Sequence, residues 1–216
     1  MYAKPFIALI ATAAALLLQG CSNIERSRDT ANPRVSAITL AQQVCSNCHG
    51  LTGNAESPNF PNLAGQITAY TAAQLQAFKS HDRHDPAGYE YMWGLSRSLS
   101  EEQIQGLAAY YAAQAPTLQA REGRPSRVDA GRAIFENGLA AQSVPACGGC
   151  HGDKAQGQAG FPRLAGQHAN YLAKQLQGFA RGDDRPGGAM MQPVAHALTA
   201  QDINNVAAYL QAMPGL

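Results

Sequence analysis

Cys45-Ser46-Asn47-Cys48-His49 and Cys147-Gly148-Gly149-Cys150-His151 are two copies of one pattern, Cys-x-x-Cys-His, each followed by Gly. The pattern reads as a c-type haem attachment site. Two thiols must reach the two vinyl groups of one porphyrin, and a two-residue gap on a tight turn sets them the right distance apart. The adjacent His then swings its imidazole under the ring and binds iron from one side. The sequence therefore predicts two haem c groups, covalently bound through Cys45, Cys48, Cys147 and Cys150, with His49 and His151 on the irons.

Two other uses of such cysteines fit poorly. Zinc needs four ligands converging on one ion, whereas each Cys pair here opens its own copy of a repeated unit. A thioredoxin-like dithiol needs a βαβ context, and no stretch of this chain shows sustained β alternation.

The repeat is legible well beyond the motif. Phe60-Pro61-Asn62-Leu63-Ala64-Gly65-Gln66 pairs with Phe161-Pro162-Arg163-Leu164-Ala165-Gly166-Gln167. Tyr70, Leu75, Gln76 and Phe78 pair with Tyr171, Leu176, Gln177 and Phe179. The offset is 102 at His49/His151, 101 at Phe60/Phe161 and 99 at Leu99/Leu198, so length changes sit in loops. Two homologous domains follow, 34–115 and 128–216, joined by a Pro-, Gly- and charge-bearing linker over 116–127.

The elements that must carry the motifs read as helices, and the fold class as all-α. Ala37 to Val44 feeds the first motif; Val128 to Asn137 is its counterpart, capped by Gly138. Domain 2 then spends Leu139 to Ala146 on a loop that domain 1 lacks. Tyr70–Lys79 and Tyr171–Ala180 are middle helices with apolar residues spaced i,i+3. Ser100-Glu101-Glu102-Gln103 and Thr199-Ala200-Gln201-Asp202 are capped starts of last helices, which run to about Ala115 and Ala212. Units of this size sit near the lower limit for a self-supporting core, and a buried macrocycle would supply an apolar centre.

Each iron needs a ligand on its far face. Met92 and Met191 stand at matched positions, each seven residues before the Leu-Ser/Thr that opens the last helix. A thioether is a soft ligand suited to electron-transfer haems, and His/Met ligation raises the potential. Met190 is a rival in domain 2, but its domain 1 match is Tyr91; Met213 reads as packing. Pro61 and Pro162 follow the two histidines by 12 and 11 residues. A metal-bound His gives its second ring N–H to an oxygen, and the carbonyl of a Pro-fixed turn would serve. His81 and His84 read as solvated in a polar loop with Asp82, Arg83 and Asp85. His168 and His196 match Thr68 and Arg97 rather than another His, and read as surface residues. Asp82 matches Asp183, and Arg83 matches Asp184 imperfectly; these read as loop or interdomain polar contacts. Trp93, beside Met92, has no partner in domain 2 and reads as shielding for one haem edge.

Composition narrows the setting. Charged residues are 14% of the chain, hydrophobic ones 45%, and the net charge is +1. With no basic patch, nothing points to nucleic acid. Lys4 followed by an apolar run from Phe6 to Leu18 reads as a signal peptide over 1–20, too short for a comfortable membrane span. It ends in Leu18-Gln19-Gly20-Cys21, which resembles the lipobox of bacterial lipoproteins. That resemblance implies cleavage before Cys21, a lipid on Cys21 and a polar tether over 21–33. All five cysteines are then used, with none left as a stray thiol in an oxidising compartment.

Taken together, the paired motifs, Phe-Pro-x-Leu-Ala-Gly-Gln, the Met before Leu-Ser/Thr and the Tyr-bearing last helix resemble the cytochrome c4 family over most of 34–216. The resemblance implies two tandem class I cytochrome c-like domains that face each other. It implies axial pairs His49 with Met92 and His151 with Met191, oriented by Pro61 and Pro162. It also implies a periplasmic or membrane-attached electron carrier of a respiratory chain, running from a quinol-oxidising complex to a terminal oxidase, and not an enzyme. Gly94 departs from the Pro193 of domain 2 in the text after the Met.

Two alternatives remain open at this point. One is an electron-entry subunit fixed in a larger respiratory complex, which a lipid tether suits by raising effective concentration. The other is a dihaem redox enzyme acting on peroxide or sulfur compounds, which needs an open or displaceable iron position. Domain 1 carries four Lys/Arg against six Asp/Glu and domain 2 six of each, a slight asymmetry that could separate two docking ends.

Overall fold

The computed structural model describes residues 27–83, 85–86, 88–117, 124–182, 185 and 188–214. The signal peptide, Cys21, His84, Asp183 and Asp184 lie outside the described residues. Among the described residues no helix is long and apolar enough to cross a membrane.

Domain 1 opens with α1, Ala37–Leu40, whose N-cap Ser36 accepts the Thr39 N–H at 3.1 Å. The chain widens into a π turn over Ala41–Cys45 and runs straight on into α2, Ser46–His49. After the long loop come α3, Thr68–Lys79, a second π turn over Gly88–Met92, α4, Trp93–Ser96, and α5, Glu101–Ala112. Domain 2 repeats the order with α6, Pro125–Asn137, α7, Gly148–His151, α8, Ala169–Arg181, α9, Met191–Ala197, and α10, Ala200–Ala212. The fold is two tandem helical domains, and β pairing among the described residues is confined to isolated bridges.

Several helix limits differ from the sequence expectation for identifiable reasons. The first helix of domain 2 begins at Pro125, inside the expected linker, because Pro at N1 has no N–H to lose. The last helix of domain 1 stops at Ala112, short of Ala115, because Asn54 draws the chain aside: its Nδ2 donates to the Ala115 carbonyl and its Oδ1 accepts the Thr117 N–H. Short helices α4 and α9 beside the methionines were not anticipated. Pro193 in α9 stands in the first turn, where a missing N–H costs no bond. Both expected capping boxes are formed, Ser100 with Gln103 and Thr199 with Asp202. The extra loop of domain 2 is folded back by paired bonds between Leu139 and Val144.

The cores are small. Leu40, Ile104, Leu107 and Tyr111 anchor one; Ile134, Phe135, Val206 and Leu210 anchor the other. In each, the first and last helices cross at close range, with a glycine at the contact. Domain 1 puts Gly106 of α5 against Ala37, and domain 2 puts Gly131 of α6 against Asn205. A Cβ on Gly131 would stand 2.0 Å from the Asn205 carbonyl oxygen.

The domains meet along a polar seam. Gln66 and Gln167, buried to 7% and 5% exposure, each reach across and clamp one backbone unit of the other domain. Gln66 donates to the Arg163 carbonyl at 3.0 Å and accepts the Arg163 N–H at 2.7 Å. Gln167 donates to the Asn62 carbonyl and accepts the Asn62 N–H, both at 2.9 Å. His168, expected at the surface, is instead fully buried at 0% exposure. Its Nε2 donates to the Ala55 carbonyl of the other domain at 3.0 Å. The interdomain neighbour, not the local sequence, buries it.

A second part of the seam is charged. Arg83 bonds Asp85 at 2.8 Å and also donates to Gln74 and, across the seam, Gln175. Arg185 mirrors it, donating to Gln175 and across the seam to Gln74 and Tyr70. Arg83 lies 4.4 Å over Phe78, and Arg185 lies 4.5 Å over Phe179. The true counterpart of Arg83 is therefore Arg185 rather than Asp184. Burial pushes the Asp85 carboxyl up, but the Arg83 bond and charge, with the Arg185 charge, more than reverse this and hold it below the ordinary range.

Gly131→Ala should cost about 2 kcal/mol or more through overpacking. Denaturant unfolding of the holoprotein should show domain 2 shifting and domain 1 holding; an unchanged midpoint would mean the crossing yields freely. A depressed Asp85 adds stability that is present above its unfolded pKa of about 3.9 and lost as pH falls through its lower folded value. Small-angle scattering should thus show the domains loosening in acid below about pH 4, and Asp85→Asn should flatten that response.

Candidate functional site

Each site is built where a one-turn helix ends. α2 stops at Gly50, φ 75°, and α7 at Gly152, φ 83°. A left-handed residue is required there, and a Cβ on Gly50 would also stand 2.5 Å from the Asn54 carbonyl oxygen. The loop that follows is tied at matched points. Leu63 and Ala64 donate to the Gly53 carbonyl, as Leu164 and Ala165 do to that of Ala155. Gly65 and Gly166 donate to the last helices at Tyr111 and Leu210, at 2.9 and 2.8 Å.

This loop places the proline carbonyls. His49 Nδ1 donates to the Pro61 carbonyl at 2.9 Å, and His151 Nδ1 donates to the Pro162 carbonyl at 2.9 Å. A carbonyl only accepts, so Nδ1 carries the proton and Nε2 keeps its lone pair. Burial lowers both imidazole pKa values, against a smaller upward pull from the proline carbonyl. Both rings therefore stay neutral, the form that binds iron. Phe60 and Phe161 meet them edge-on at 6.2 and 6.0 Å between centroids.

The four motif cysteines are unpaired. Burial pushes the Cys45 thiol up to about 11, against a smaller downward pull from the Tyr111 hydroxyl, and burial also raises Cys147. Among the described residues no group of His, Cys, Asp and Glu gathers as a metal cluster, so the cysteines do not converge.

The methionines differ in exposure. Met92 ends the second π turn and Met191 begins α9, both half-buried, whereas Met190 is 68% exposed. Ser96 Oγ donates to the Met92 carbonyl at 2.6 Å and fixes that turn. Gly94 has open space around it and constrains nothing. Trp93 carries His81 at 4.9 Å on one side and Arg97 at 5.4 Å. His81 is exposed, as is His196.

The donor set fits haem c at both sites. Each offers two free thiols, a neutral imidazole with one nitrogen anchored, and a half-buried thioether at a matched position. Of the residues that hold the two domains together, Arg83 reads from the sequence as a loop or interdomain polar contact and does bond across the seam, whereas Gln66, Gln167 and Arg185 carry no assignment there. Recurrence of the Gln in both copies was the available signal.

Known proteins agree with this construction. The cytochrome c family model matches residues 37–113 and 128–214. Cytochrome c4 of Azotobacter vinelandii is 37% identical over 179 residues, covering 79% of this chain and 84% of that protein. The structure of cytochrome c4 from Acidithiobacillus ferrooxidans superposes with a TM-score of 0.72 at 40% identity, covering 78% of this chain and 98% of that one. A protein described as a thiosulfate dehydrogenase electron acceptor, from Thiomonas intermedia, is 33% identical over 180 residues, covering 79% of this chain and 78% of that protein. Paired attachment motifs in two tandem cytochrome c domains, together with these likenesses, establish that the chain belongs to the cytochrome c4 family and carries two covalently bound haem c groups.

Proposed function

We propose that this protein is an electron carrier with two His/Met haems, His49 with Met92 and His151 with Met191. In this reading Cys45 and Cys48 hold one haem, and Cys147 and Cys150 the other. The observation that carries it is the matching of both sites down to the 2.9 Å His–Pro bond. A substrate-transforming haem needs one iron with an open position, and such a site would be expected to break the repeat at its ligands.

Haem c supplies reversible one-electron exchange at iron. The chain's part is positional. The Pro61 and Pro162 carbonyls accept the hydrogen bond from Nδ1–H, fix ring angle and tautomer, and raise the basicity of Nε2. Met92 and Met191 would each offer iron a thioether, a ligand that favours the reduced state. The glutamine clamps hold the two sites at one separation, so that reorganisation on electron exchange stays small.

For the route, we favour transfer from a quinol-oxidising complex to a terminal oxidase on the periplasmic side of a membrane, with Cys21 lipidated. The likeness to a thiosulfate dehydrogenase electron acceptor supports a second donor, a sulfur-compound dehydrogenase. Both routes keep this chain a carrier, whether it diffuses or serves as a fixed subunit.

A redox titration followed by optical and near-infrared spectra tests the ligation. Two low-spin haems with a Met–iron charge-transfer band are expected; a high-spin or bis-His haem would sink the reading. Met92→Ala and Met191→Ala should each lower the potential of one haem by on the order of 0.1 V, and either variant leaving both potentials unchanged would remove that ligand. Cys21→Ser should move the protein from the membrane fraction to the soluble periplasm.

A further inference from the structure

Four charged side chains are buried among the described residues, and all lie at the domain seam: Arg83, Asp85, Arg163 and Arg185. Asp85 is bonded to Arg83, and Arg185 spreads its donors over Gln175, Gln74 and Tyr70. Arg163 is the outlier. It is 7% exposed, and its Nε and Nη2 have no hydrogen-bond partner. A guanidinium does not discharge within the protein's working range, and a buried charge without a counter-charge is strongly destabilising.

Arg163 lines a cavity together with Asn54, Asn62, Gln66, Thr117 and Gln167. The surrounding amides are already committed. Asn62 bonds Ala55 and Gly166, Asn54 bonds Ala115 and Thr117, and both glutamines serve the clamps. Among the described residues no carboxylate lines the cavity. Its volume is about 10 Å³, room for one water-sized atom and too little for sulfate or phosphate. Burial also lowers the Arg163 pKa, the direction expected of a cation lacking its anion. The site belongs to one domain only, since the counterpart of Arg163 is the uncharged Asn62.

We infer that Arg163 anchors an anion site in the seam, sized for a single negatively charged atom. That atom is a chloride ion or one oxygen of a carboxylate, the latter available from a haem propionate. Two parallel N–H donors on a fixed fork suit either. Such an anion joins the domains electrostatically where the glutamine clamps join them by hydrogen bonds, and it completes the seam's charge.

Crystals of the holoprotein grown in bromide test the site directly, with no variant needed. An anomalous peak, or a propionate oxygen, within hydrogen-bond distance of Nε and Nη2 is expected; water alone there overturns the assignment. Thermal unfolding of the holoprotein in chloride against gluconate, at constant ionic strength, separates the sources. A free halide raises the wild-type midpoint saturably, and Arg163→Gln abolishes the rise. A propionate gives no chloride response, and Arg163→Gln lowers one haem potential more than the other. A bromide peak with no saturable chloride response, and no change in potential in Arg163→Gln, marks an adventitious ion only and overturns the inference.

Discussion

A histidine that offers one ring nitrogen to a metal must give the other away. The bond from Nδ1 to a proline carbonyl does this twice here, and much of the fold exists to place that carbonyl. The loop between His and Pro is tied to itself at Gly53 and Ala155 and to the last helix at Tyr111 and Leu210. The last helix is held by its crossing with the first, and the first leads to the cysteines. The chain thus closes a ring of constraint around each site, so that a change at a helix crossing is felt at an imidazole. The small cores follow from the same arrangement. With Leu40, Ile104, Leu107 and Tyr111 as the main large anchors of domain 1, the apolar centre is left to the covalent macrocycle.

The seam works on a different principle. Gln66 and Gln167 bond main-chain groups of the opposite domain, so parting the domains would strand buried donors and acceptors on both sides. Arg83 and Arg185 share Gln74 and Gln175 as common acceptors, which couples the two middle helices. Polar satisfaction rather than apolar area sets the relation of the domains. That favours a single geometry over a sliding contact, and a fixed geometry keeps the distance between two redox centres constant.

Local patterns carried most of the fold into view. The Cys-x-x-Cys-His spacing, the capping boxes at Ser100 and Thr199, and the recurrence of Met92 as Met191 are all short-range signals. They survive folding because neighbours in sequence enforce them. Residues whose role depends on the other domain were legible only in part: Arg83 read as a loop or interdomain contact, while the glutamines and His168 gave no such sign. His168 matched a Thr and read as a surface residue, yet the Ala55 carbonyl of the opposite domain buries it. Arg83 aligned with an Asp by offset, and only its stacking on Phe78 pairs it with Arg185 over Phe179. Helices α4 and α9 escaped notice because one or two turns are too short to display a period. The stop at Ala112 depended on Asn54, more than fifty residues away in sequence.

The glutamine clamp grips peptide groups, and every residue has one. It therefore reads nothing about the side chain at the position it holds. Asn62 and Arg163 occupy equivalent places in the two halves and are gripped identically, though one is neutral and the other charged. Such indifference lets duplicated halves drift apart in chemistry while their union stays intact. A symmetric hinge inherited from one ancestral unit can in this way come to carry a polarity that the unit itself never had.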